Sequence, residues 1–148
     1  MKTRFALLAL VVLIAAAVLA APAAAHGGLP AMNKAMVTYD LEKGYWVGTI
    51  SGHVRGTFQM TGLEYAYPDE LVYTESFAVA GRDGTMEGYV IGIFPGPAFS
   101  ATGWVTSATG RWAKMTRWMM WQSGTVTESG DTYVARSHVA FLPSFLDD

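Results

Sequence analysis

Glu75 is the side chain of this sequence best placed to move a proton. It stands in the run Leu71 to Ala80, LVYTESFAVA, where the residues alternate with period two. One face reads Leu71, Tyr73, Glu75, Phe77 and Val79; the other reads Val72, Thr74, Ser76 and Ala78. If the larger apolar face points inward, the carboxyl goes with it. A carboxyl among aromatic and aliphatic groups has a raised pKa unless it is paired, and that suits a general acid or base. Tyr73, and Tyr89 on the next run, then stand ready to hydrogen-bond charge developing on a substrate. Two arrangements compete with this one: Glu75 paired with an inward arginine, and a strand turned the other way round.

The aromatic residues are the second candidate set. Phe77 shares the face of Glu75, and Trp46, Trp104, Trp118 and Trp121 lie in alternating runs. Such rings stack on planar ligands; they also simply fill cores. Trp112 sits in the segment ATGRWAKMTR, Ala108 to Arg117, and is expected to fold back as a plug or rim at one end of the domain.

Other chemistries have no support in the residues. His26, His53 and His138 show no metal-ligand spacing, and there is no cysteine, so neither a metal nor a cofactor is expected. No Gly-x-Ser-x-Gly elbow and no glycine-rich phosphate loop occurs. His53, Arg55, Arg136 and His138 fall on polar faces and are expected to meet solvent.

These side chains need strands to position them. Eight runs read as strands: 35–41, 45–51, 53–61, 71–80, 85–94, 98–107, 118–127 and 132–141. In the third, Val54, Gly56, Phe58 and Met60 alternate against His53, Arg55, Thr57 and Gln59. Gly62 to Glu70 reads as a loop. Asp83-Gly84 has the composition of a type I′ hairpin turn, and Gly130-Asp131 marks a second hairpin. No amphipathic helix stands out. The fold class is therefore all-β, a small antiparallel β-barrel of seven to eight strands.

The N-terminus has a different character. Lys2 and Arg4 precede an apolar run from Phe5 to Ala21, and Ala23-Ala24-Ala25 follows Pro22. Residues 1–25 read as a signal peptide cut before His26, and residues 26–34 as a flexible leader. An uncleaved anchor is the alternative. The barrel domain is then 35–148. Loss of Lys2 and Arg4 leaves eight basic against twelve acidic side chains, a formal charge of −4. With no basic cluster, a nucleic-acid partner is excluded. The expected location is secreted or periplasmic.

The segment GWVTSATGRWA, Gly103 to Ala113, followed by Gly124-Thr125-Val126-Thr127, resembles the allene oxide cyclase and dirigent group of small eight-stranded β-barrels. That group shows a strand ending in a turn such as ATGRFAG, then a strand of the form GTxT. Here Trp112 stands in place of Phe and Lys114 in place of glycine. The resemblance implies a lumen that holds a small apolar or aromatic molecule, cofactor-independent isomerisation or cyclisation of it, and assembly as a dimer or trimer. The resemblance assigns no catalytic residue; from the strand faces, Glu75, Tyr73 and Tyr89 are the expected catalytic set, and Phe77, Trp104, Trp112, Trp118 and Trp121 the expected ligand-binding set. The alternatives are a non-catalytic binding or structural envelope protein of the same fold and an outer-membrane barrel. Against the last stand the Leu-Asp-Asp ending and Arg55, Gln59 and Arg136, which would crowd a narrow lumen.

Overall fold

Alternation of small or apolar with polar residues is what closes this chain on itself. In β1 (Ala31–Asp40), Ala31, Asn33, Ala35 and Val37 are buried while Met32, Lys34, Met36 and Thr38 are exposed. β2 (Tyr45–Gly52) is mostly half-buried, while alternation runs through much of β3 (Gly56–Tyr65), β4 (Val72–Gly81), β5 (Gly84–Ile93), β6 (Ala98–Ala108), β7 (Met119–Ser129) and β8 (Thr132–Leu142). Each strand pairs antiparallel with the next, and β8 returns to β1 from Ala31↔Phe141 to Thr38↔Val134. The result is a closed eight-stranded barrel with no free sheet edge. The computed structural model describes residues 30–66 and 71–144. The segment expected to be a signal peptide, Met1 to Ala25, lies outside them.

Phe77 stands at the centre of the lumen. Its ring is 6.4 Å from that of Phe58 and 6.2 Å from that of Phe141, centroid to centroid. Burial of each such ring contributes about 1.5–3 kcal/mol. The adjacent strand makes room for these rings. Phe77 pairs with Gly88 and Tyr73 with Gly92 in the β4–β5 register. A Cβ on Gly88 would lie 2.6 Å from Phe77 Cε1. In a barrel this narrow, a large residue on one strand requires a small one across from it.

Several boundaries differ from the sequence expectation, each for a local reason. The strand pairing begins at Ala31, inside the expected leader, because β8 and Asn33 hold it. The Asn33 amide donates to the carbonyls of Ala31 (2.8 Å) and Val139 (3.3 Å), and its oxygen accepts from Val54 N (2.7 Å). β3 continues to Tyr65, past the expected end at Thr61, by way of a register shift between Thr61 and Glu64. The Asp83-Gly84 hairpin joins β4 to β5 as expected, but not as a type I′ turn. Gly81 pairs with Gly84, so Arg82 and Asp83 form its centre, and neither has a positive φ. Gly130, at φ 62°, takes the glycine-first position of the β7–β8 turn.

The two ends of the barrel are built differently. At one end, the β6–β7 connection forms a short 3-10 helix, Gly110–Met115, whose Trp112 and Met115 are buried. Its backbone ties to the β4–β5 hairpin through Arg111 N donating to Asp83 O at 2.8 Å. Thr109 Oγ1 accepts from Thr85 N at 2.9 Å. Trp118, buried just beyond, completes the cap. The opposite end carries the β1–β2, β3–β4, β5–β6 and β7–β8 connections, the second of them only partly within the described residues, and there the lumen is hollow.

Candidate functional site

The hollow is a cavity of about 70 Å³ in the end of the lumen away from the 3-10 helix. Its wall is mainly apolar: Val37 of β1, Trp46 of β2, Met60 and Leu63 of β3, Phe99 of β6 and Val126 of β7, with Phe94 just after β5. Phe94 and Phe99 stack with centroids 6.4 Å apart. Tyr65, Tyr73, Glu75 and Gln122 supply the polar atoms. By their places along the strands, Tyr73 lies nearer the mouth, and Glu75 lies deeper, one pair of residues before Phe77.

Glu75 points into the barrel and is 5% exposed. No arginine pairs with it. Its Oε1 is buried without a hydrogen-bond partner. Burial pushes its carboxyl up to about 8, with no compensating charge to pull it back. The Tyr73 phenol is pushed above its ordinary range, by burial first and then by the neighbouring Glu75 and Tyr65.

Gln122 is the residue that sequence reasoning missed. It is fully buried on β7, three strands around the wall from Glu75. Its Nε2 donates to Ser137 Oγ at 3.0 Å, and its Oε1 is buried with no partner. A buried unsatisfied polar atom costs about 1–3 kcal/mol, so two of them on residues that line one cavity mark a place where a ligand or water belongs. The signal was available: Gln122 alternates in step with Met120 and Val126.

The other predicted residues divide into three groups. Phe77 is buried in the lumen beneath the cavity, and Trp46, noted among the aromatic candidates, lines it. Trp112 and Trp118 are buried, but at the capped end, away from the cavity. Tyr89 and Trp104 are misplaced by the sequence reading. They project from the outer wall, 44% and 38% exposed, and face each other across β5 and β6. Trp121 also alternates out of step with the buried Met120 and Gln122, and is only half-buried. The rule that placed the largest side chains inside fails here for a steric reason. Beside Phe77 and Tyr73 of β4, the inward positions of β5 are Gly88 and Gly92, with Met86 and Val90, and those of β6 are Phe99, Ala101, Gly103 and Val105, which leaves Tyr89 and Trp104 on the outer face. Tyr89 therefore cannot serve in the lumen with Glu75, nor can Trp104 or Trp121 line it.

No group of three or more His, Cys, Asp or Glu side chains gathers among the described residues. His53, Arg55, Arg136 and His138 are exposed, as their faces required. Searches against family profiles, curated proteins and solved structures found no match to this chain.

Proposed function

We propose that this protein is an exported barrel that binds a small apolar or aromatic molecule in the open end of its lumen. The observation that carries the reading is the cavity itself: a small apolar, aromatic-walled hollow of about 70 Å³ whose lining includes Glu75 and Gln122, each with a buried, unpartnered oxygen. Concave apolar sites with a few convergent polar groups are the usual form of a small-molecule site. A lumen packed shut, as in a purely structural barrel, has no reason to keep Glu75 and Gln122 where apolar residues would cost less. Export rests on the Ala23-Ala24-Ala25 pattern after an apolar run.

The outer wall speaks against a lipid-embedded barrel. Lys34 pairs with His138 and Met36 with Arg136 on the outside of β1 and β8, where a lipid belt would be apolar. The interior, built on Phe58, Phe77, Phe141, Met86 and Val90, is apolar where outer-membrane barrels are polar.

A titration with toluene, followed by amide and indole NMR, tests the binding reading. Trp46, Phe94 and Phe99 should shift, and Trp112 should not. Shifts confined to the outer wall at Tyr89 and Trp104 would sink it.

A second reading, cofactor-independent isomerisation or cyclisation, is favoured by one observation. The Glu75 carboxyl, at about 8, holds a proton that it can give and retrieve near neutral pH. Tyr73, lining the same cavity, is the neighbouring hydroxyl. Any such activity should disappear in Glu75→Gln while ligand binding survives; unchanged turnover would remove Glu75 from the chemistry.

A further inference from the structure

The polar atoms of the cavity specify more than an apolar guest, provided that the lumen is a ligand site as proposed above. Both orphaned atoms are oxygens, Glu75 Oε1 and Gln122 Oε1. Because the Gln122 amide nitrogen is turned to Ser137, the amide offers the cavity an acceptor. An ionised carboxylate is likewise acceptor-only. With Glu75 ionised, the two oxygens together call for a head group rich in donors. Among the described lining residues there is no lysine, arginine or histidine; the titratable side chains are Tyr65, Tyr73 and Glu75. A buried carboxylate without a counter-charge is costly, and a cationic guest supplies that charge. The wall around it is aromatic: Trp46, Tyr65, Tyr73, Phe94 and Phe99. Aromatic faces attract cations, most strongly in desolvated sites.

We propose that the lumen takes a small primary amine with an apolar body, bound as its ammonium ion, with N–H groups donating to Glu75 and to Gln122 Oε1. The body lies toward the mouth against Phe94, Phe99 and Trp46. An ammonium has three donors and no acceptor, matching a site with two unfilled acceptors. An alcohol of the same shape can donate to Gln122 Oε1 and accept from a neutral Glu75 carboxyl, but it brings no charge to stabilise an ionised one. A hydrocarbon leaves both oxygens unfilled.

Binding has a proton balance. In the empty site at pH 7, burial keeps Glu75 mostly protonated. The guest arrives already protonated, so the Glu75 proton passes to solvent as the ion pair forms. No bond other than that O–H is broken.

Calorimetric titration of the purified exported protein with benzylamine, benzyl alcohol and toluene, in two buffers of different ionisation enthalpy, tests the proposal. Benzylamine should bind at least tenfold more tightly than benzyl alcohol at pH 7 and release close to one proton. Glu75→Gln should bring benzylamine down to the level of the alcohol and leave the alcohol within about threefold of its original affinity. Equal affinity for the three compounds, or benzylamine binding without proton release, overturns the amine assignment and leaves the apolar site standing. Failure of all three to bind the folded protein removes both this assignment and the lumen reading beneath it.

Discussion

Tyr73 rests against Gly92 so closely that a methyl group on the glycine would stand 2.6 Å from the phenolic oxygen. The two residues are direct register partners on β4 and β5. The missing side chain on one strand is thus the space occupied by the ring on the other, and the ring in turn forms part of the cavity wall. Gly92→Ala should push the Tyr73 ring into the hollow. Thermal denaturation should show a loss of about 1–3 kcal/mol, as overpacking usually costs, and binding of toluene should weaken. Tyr73→Phe in the same background should recover part of the stability by removing the crowded hydroxyl.

Glu75 makes stability depend on pH in an unusual direction for a carboxylate. Its folded-state value, about 8, lies above its ordinary value of 4.5. The folded protein therefore holds a proton that the unfolded chain releases between those two values. The associated stability is fully present below about pH 4.5 and is lost as pH rises toward about 8. The total is on the order of several kcal/mol at 1.36 kcal/mol per pH unit. Urea denaturation from pH 5 to 9 should show this decline, and Glu75→Gln should flatten it and exceed the parent in stability at pH 9. A parent curve without slope in that window would contradict the buried, unpaired carboxyl.

Gln122 should behave as a residue kept for binding rather than for stability. Replacing it with Met preserves much of its shape and removes the orphaned oxygen, at the expense of one hydrogen bond to Ser137. The bond contributes about 1 kcal/mol net, and an orphaned buried acceptor costs a comparable amount. Gln122→Met should therefore lie within about 1 kcal/mol of the parent in urea denaturation, yet lose amine affinity tenfold or more. Strong destabilisation with unchanged binding would show the reverse assignment.

The capped end should carry stability. Trp112 is 5% exposed and packs over Gly81, where a Cβ would lie 2.9 Å from its ring. Trp112→Ala should cost about 3–5 kcal/mol, read as a fall in melting temperature, and leave the mouth-end ligand site chemically unchanged. Gly84→Val should cost roughly 1 kcal/mol or more. The reason is not the type I′ turn that its neighbour suggested, but a φ of 151° and the Thr109 carbonyl against which a side chain would run.

The barrel was legible because period-two alternation and turn residues are local signals, and they recur eight times. Glu75 was legible for the same reason: its own strand shows which face is apolar. The outward placing of Tyr89, Trp104 and Trp121 was not, because it depends on what the neighbouring strands present beside them. Phe77 and Tyr73 demand Gly88 and Gly92 opposite them, and no window of β5 alone contains that information. Gln122 escaped for a related reason. Its meaning lies in an unfilled oxygen three strands away from another.

The difference between the two ends of the barrel gives the cavity a direction. With Trp112, Met115 and Trp118 sealing one end, a guest can enter and leave only through the other. It must travel head first to reach Glu75, and nothing can pass through the tube. On the proposed reading, whatever it carries behind its head group would stay nearest the doorway. A barrel sealed in this way would judge a guest by the end that enters first.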